Sequence, residues 1–247
     1  MAPAQDFRDQ LVRYCFAEAP DPGLLADLGK DAEAWQLYRR MIRNRIFRFI
    51  AGALPRYRRA VGGERFDGDL ARWLESGGSA ERQMFLLPLA HARWLLAHGP
   101  PEEPAWAGDL LRLEAARIEV RNADDVEPGP LRPFDFQLPL AVCEPIRCLQ
   151  PAWDVTRKEP HRLPSLRVLI VWRGPKRTAR TAWAEPWVGE WLCDERAASW
   201  PSHDLIRNIW QARGVVPTTE RIEHAASVLG PLVEAGAVAS PAAAKSR

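Results

Sequence analysis

The chain has no long uninterrupted apolar run. Its longest, Met84 to Ala97, is broken by Pro88, His91 and Arg93 and falls short of the roughly 18 residues a membrane-spanning helix requires. No membrane partner is expected. A secretory leader is not expected either, because Asp6 and Arg8 interrupt the first residues before any apolar segment forms, and a cytoplasmic location follows. Cysteine is sparse. Cys15, Cys143, Cys148 and Cys193 are scattered through 247 residues, which suits reduced thiols better than a disulfide framework. Charge of one sign is lacking as well: 34 basic against 32 acidic side chains leave a net charge of +2, too little for a global field that would steer the chain to nucleic acid.

Motifs for common chemistries are absent too. No G-x-x-x-x-G-K-[ST] occurs, and no G-x-G-x-x-G follows a strand, so a phosphate cradle is not supported. His91, His98, His161, His203 and His224 lie far apart, with no H-x-x-x-H or H-E-x-x-H spacing, so no metal site of the chain's own is expected. Cys143 and Cys148 are neighbours in sequence, but a metal needs three or four ligands and no second pair follows. No G-x-S-x-G elbow marks a nucleophile. No catalytic residue is assigned and the chain is not expected to be an enzyme.

What is present is ample core material, with 47% apolar residues and 11 Trp, enough for two ordinary domains. From Gln5 to about Ala123 the pattern is helical, with breaks at Pro20-Asp21-Pro22, Gly62-Gly63, Gly77-Gly78 and Gly99-Pro100-Pro101. The stretch Asp124 to Phe136 holds three prolines and a glycine. Short β-like runs begin beyond it, at Leu138 to Cys148, Leu166 to Trp172 and Arg177 to Trp183, with turn chemistry at Arg173-Gly174-Pro175-Lys176. Helical pieces follow at Glu185 to Arg196, at Ser202 to Gln211 behind a Ser cap, and at Thr218 to Glu234, with Gly236 as the C′ residue and Pro231 as a kink or break. Trp183, Trp187 and Trp191 fall at i, i+4 and i+8, a stripe that suits a helical core face. The expectation is an α+β protein: a helical domain over residues 1–123, a linker over 124–137, and a second domain over 138–247 built on a small antiparallel sheet.

The helix from Ala34 to Leu54 places Trp35, Tyr38, Ile42, Ile46, Phe49 and Ala53 on one face, which assigns that face to the core. Leu37, Met41 and Phe47 point roughly the other way, the pattern of a helix covered on two sides. Between Ala34 and Gly63 there are eight arginines and no acid. A solvated basic face is one reading, and docking of an acidic partner is the other.

A small sheet followed by three short helices resembles a winged-helix arrangement, used for both DNA and peptides. As a DNA reader, Ser202 to Gln211 is thinly equipped, with Arg207, and Arg213 just beyond, set against Asp204. The run Leu166 to Arg173 either lies at a sheet edge, where its backbone is a template for an added peptide strand, or is central and simply buried.

Leu37-Tyr-Arg39, Arg43, Pro55, Arg58-Arg59, Gly62 and Phe66, followed by Leu110 to Glu114 with two alanines after it, resemble the signature of the HvfC/BufC-type proteins, whose N-terminal domain is catalogued as DNA-binding. Ala141-Val142, Ile146, Ala152-Trp153, the Leu166 to Arg173 strand and the tail Ala235 to Val238 are similar to that family's second half. The resemblance spans roughly residues 5 to 239. Arg40 and Met41 stand where the family usually has asparagines, and Ser76 to Met84 is short between the two signature helices.

Proteins of this type partner multinuclear non-haem iron-dependent oxidases that modify ribosomally made precursor peptides. The resemblance therefore implies a non-catalytic accessory subunit with no cofactor of its own, the iron residing in the oxidase. A winged-helix-like peptide-recognition domain would bind the precursor's leader along Arg167, Val168, Leu169, Ile170, Val171, Trp172 and Arg173, with Lys176 and Arg177 as basic neighbours. Leu37, Arg40, Met41, Phe47, Arg48, Arg56 and Arg59 would face the oxidase. Arg39, and with it Arg43, is expected to make a fixed internal contact. The competing reading is a winged-helix DNA-binding regulator.

Overall fold

The computed structural model describes residues 14–16, 23, 32–77, 83–100, 102–125 and 130–242. The expected break at Pro20-Asp21-Pro22 and the N-terminal residues through Arg8 lie outside them. The chain divides into two compact units, Met1–Ala115 and Ala116–Arg247. No helix among the described residues is long and apolar enough to cross a membrane.

In the first unit α1 (Ala32–Ala53), α2 (Pro55–Val61), α3 (Gly63–Glu75) and α4 (Leu87–His98) precede α5 (Ala107–Asn122), within which the division of the chain falls. Pro55 opens α2 where its missing N–H costs nothing. Gly62, at φ +87°, turns the chain into α3 through a region that a side chain would strain. Glu114 of α5 is buried and accepts hydrogen bonds from the N–H groups of Arg56 and Tyr57 at 3.2 and 3.0 Å, so a carboxylate satisfies the orphan donors at the start of α2. Arg39 donates to the Tyr14 carbonyl at 3.0 Å and Arg43 to the Phe16 carbonyl at 3.1 Å, the internal contacts expected of them. The Arg58 guanidinium lies 6.0 Å from the centroid of the buried Phe66 ring. Arg39, Arg43, Arg58, Pro55, Gly62, Phe66 and Glu114 thus act as scaffold, while Arg59 is exposed. The core face of α1 differs from expectation. Ile46 and Ile50 are buried, whereas Tyr38 and Phe49 are 42% and 38% exposed, because the helix turns Ile50 rather than Phe49 inward, four residues after Ile46.

The second unit is mixed. Strands β1 (Leu131–Arg132), β2 (Ala141–Val142) and β8 (Val238–Pro241) form one antiparallel sheet in the order β1-β8-β2. Strands β3 (Ile146–Leu149), β6 (Val168–Gly174) and β7 (Thr178–Ala184) form another in that order, and β4 (Trp153–Asp154) pairs with β5 (His161–Arg162). Helices α6 (Pro186–Cys193), α7 (Ser202–Ala212) and α8 (Thr219–Glu234) follow β7. The protein is therefore α+β, as expected. Ile170, Trp172, Trp187, Trp191, Leu205 and Leu232 belong to its buried apolar cluster. Gly189 lets α6 lie against β6, since a Cβ there would sit 2.8 Å from Val168 Cγ1.

Several details depart from the expectations. Residues 130–137 of the supposed linker are built into the second unit: Leu131 and Arg132 pair with β8, and the Phe134 and Phe136 rings pack on Trp191. Trp183 belongs to β7, because α6 starts only at Pro186, so the tryptophan stripe is shared between a strand and a helix. Pro201 rather than Ser202 is the N-cap of α7, and the Ser202 hydroxyl donates to the Leu138 carbonyl instead. Pro231 sits within α8 without splitting it. Gly236, at φ +69°, ends that helix as anticipated, with Gly236 N–H on the Val233 carbonyl and Ala237 N–H on that of Leu232, a Schellman closure.

Candidate functional site

The Leu166 to Arg173 segment is central. Strand β6 pairs with β3 on one side through Leu169 to Trp172 and with β7 on the other along its full length, and all seven residues are buried. Its backbone has no open edge, so Val168, Leu169, Ile170, Val171 and Trp172 cannot pair with a peptide by main-chain hydrogen bonds, which corrects the expectation placed on them. Side chains alternate across the strand: Val168, Ile170 and Trp172 join the cluster shared with the helices, while Leu169, Val171 and Arg173 are buried on the opposite face. Such a two-sided strand reads as a continuous apolar run, and this is why alternation in the sequence could not distinguish edge from centre.

Arg173 is a structural residue. At 3% exposure its guanidinium donates to Glu144 at 2.5 Å and to the Ala123 carbonyl at 2.8 Å, and pairs with Asp125 at 2.9 Å. A cation so enclosed and paired is out of reach of an added peptide. Arg167 is half-buried with its guanidinium 5.8 Å from the Trp183 ring centroid. Lys176 and Arg177 are exposed at the hairpin tip, both at positive φ, and Arg177 bonds both oxygens of Asp125 at 3.0 Å.

The open edge near these cations is β7. Among the described residues no strand pairs beyond it. The orientation of its backbone follows from one bond: Arg173 N–H reaches the Pro145 carbonyl ahead of β3, so the odd-numbered residues of β6 direct their N–H and C=O groups toward β3 and the even-numbered ones toward β7. In register, Arg180, Ala182 and Ala184 face Trp172, Ile170 and Val168. Ala179, Thr181 and Trp183 therefore direct their backbone groups outward. Lys176 and Arg180 are exposed beside this edge, while Arg167 lies against Trp183 and Arg177 is paired with Asp125. Sequence reading identified β7 as a strand but not as an edge of its sheet, since pairing partners distant in sequence decide that.

Three further features bear on function. On α1, Leu37 and Met41 are 52% and 62% exposed, with Arg40 and Arg48 exposed alongside. Phe47 is half-buried under the Arg43 guanidinium, Arg56 is half-buried and Arg59 is exposed. A cleft of about 340 Å³ opens among α6, α7 and the start of α8, lined by Phe136, Trp187, Ile206, Trp210 and Ile222 with Arg207 among them. Lastly, Cys148 interacts with Cys193 rather than with its sequence neighbour Cys143. The Cys148 thiol and the Arg147 guanidinium lower the Cys193 pKa against the opposing effect of burial, while the same hydrogen bond and burial raise that of Cys148. Among the described residues no group of three or more His, Cys, Asp and Glu gathers as a metal ligand set.

No known protein-family model matches the chain, and no curated protein matches it.

Proposed function

We propose that the protein is a non-catalytic accessory subunit that binds the leader of a ribosomally made precursor peptide and presents it to a multinuclear non-haem iron-dependent oxidase. The chemistry on the peptide, whether oxazolone and thioamide formation, thiooxazole formation or excision of a cysteine β-carbon, belongs to that oxidase, as does the iron. The observation that carries the reading is the open edge of β7 in a β3-β6-β7 sheet followed by three helices, an order that fits a winged-helix-like recognition domain. A leader would add as a further strand through Ala179, Thr181 and Trp183. The cations around the edge favour an acidic leader. Leu37 and Met41, bordered by Arg40 and Arg48, supply an apolar and basic face on α1 for the oxidase, with Arg59 on α2 as a further exposed cation. Phe47 and Arg56 are half-buried.

The test is co-expression of the untagged chain with a tagged neighbouring oxidase and its precursor. A complex that changes the peptide's mass only when this chain is present supports the role. Thr181→Pro removes an outward-facing donor while sparing the β6-β7 ladder, a substitution that edge strands tolerate, and it abolishes leader binding in a folded protein. A chain that elutes alone, leaves the peptide's mass unchanged and shifts duplex DNA in a salt-dependent way would replace this reading with a regulator. The phosphate-contact set for that role is thin, since Arg213 is paired with Glu190 and α7 itself carries a single arginine, Arg207.

A further inference from the structure

The cleft among α6, α7 and the start of α8 is a formed cavity whose walls are held by contacts of their own. Trp187 is fixed by its Nε1–H on Glu185 at 3.1 Å and by an edge-on contact with Trp210, ring centroids 5.1 Å apart at 75°. His203, which also lines the cleft, is held between the Phe136 carbonyl, 3.2 Å from Nδ1, and Asp204, 3.1 Å from Nε2. Arg213, which follows α7, is paired with Glu190 of α6. The Thr218 hydroxyl caps α8 by accepting from Arg221 N–H. A site whose walls are already ordered pays little conformational entropy when it is filled.

Its lining is apolar at the base and cationic at one side. Trp187, Ile206 and Trp210 are buried beneath the opening, while Ile222 is 53% exposed at the mouth and Val216, next to the lining Pro217, is 68% exposed. Ile222 thus offers an apolar contact at the mouth, above the aromatic base of Trp187 and Trp210. Arg207 supplies the cation. Its side chain is 65% exposed, and its carboxylate neighbour, Asp204, lies 3.9 Å away and is shared with His203, so the guanidinium keeps donors for an anion. The volume falls at the small end of ligand pockets, which start at about 300 Å³.

We propose that this cleft binds a small amphipathic monoanion, its aliphatic or aromatic body between Trp187, Trp210 and Ile222 and its carboxylate on Arg207. This site is separate from the β7 edge and does not depend on the peptide-binding role. The test uses the full chain, with 1-anilinonaphthalene-8-sulfonate as a fluorescent probe and decanoate and 1-decanol as competitors. Decanoate is expected to displace the dye at about tenfold lower concentration than decanol, the increment of one charge-assisted contact. Arg207→Gln erases that preference, and Ile222→Asp weakens the dye and both competitors by about tenfold or more. Both substitutions sit at exposed positions, and far-UV circular dichroism verifies the fold of each. Equal displacement by decanoate and decanol overturns the anion assignment, and unchanged dye affinity in Ile222→Asp places the dye elsewhere and overturns the site.

Discussion

Acid should weaken the N-terminal unit through a single side chain, His91. It lies on α4 at 0% exposure, with Phe66 and Trp73 ring centroids 5.6 and 5.2 Å away. Among the described residues neither ring nitrogen has a hydrogen-bond partner. Burial therefore disfavours the imidazolium and lowers the pKa from 6.5 to about 4. The folded-state value is depressed, so the stabilisation is complete above the unfolded value of 6.5 and is lost as pH falls from 6.5 toward 4. At about 1.36 kcal/mol per unit the full window amounts to roughly 3 kcal/mol, and about 2 kcal/mol of it is gone by pH 5. His91→Leu removes the titrating group and both unsatisfied nitrogens while keeping the site apolar. Urea unfolding of the wild type, followed by tryptophan fluorescence, should lose about 1 M in midpoint between pH 7.5 and pH 5. The variant should lose about 2 kcal/mol less stability over the same interval. An equal pH dependence in wild type and His91→Leu would falsify the argument, because the acid sensitivity would then reside elsewhere.

Two other substitutions and a labelling experiment test the remaining geometry. Gly189→Ala brings a Cβ to 2.8 Å from Val168 Cγ1 and should cost about 1–3 kcal/mol. Val168→Ala in the same chain should recover part of that cost, and additive losses in a double-mutant cycle would show that the two residues are not in contact. Cys193 should be the first thiol alkylated by iodoacetamide, because the Cys148 thiol and the Arg147 guanidinium lower its pKa, burial raises the pKa of Cys15 and Cys143, and the thiolate is the nucleophile. Mass spectrometry of the digested protein decides the order, and preferential labelling of Cys148 would reverse the assignment of the pair.

The elements that carry strong local signals were legible in the residues. The hairpin turn at Gly174-Pro175-Lys176, the helix starting near Thr218 and its Gly236 terminus depend on backbone conformation and capping groups close in sequence, and the structure has them where the sequence places them. Arg39 and Arg43 were legible because their positions on α1 put charge beside an apolar face, a placement that demands a partner; the Tyr14 and Phe16 carbonyls provide it.

What tertiary structure alone decided is which surfaces remain open. The strand β6 and the strand β7 both read as β from their residues. Only pairing with β3, some twenty residues upstream, enclosed one and left the other as the edge. Strand β8 escaped notice for the same reason: Val238 to Pro241 is short, and it becomes a strand only between β1 and β2. The cleft on α7 also depends on distant segments, since Phe136, Trp187 and Ile222 meet there from separate elements. Local propensity sets the kind of element. Burial and openness are properties of the assembled pairs, and those require contacts that no single stretch of sequence contains.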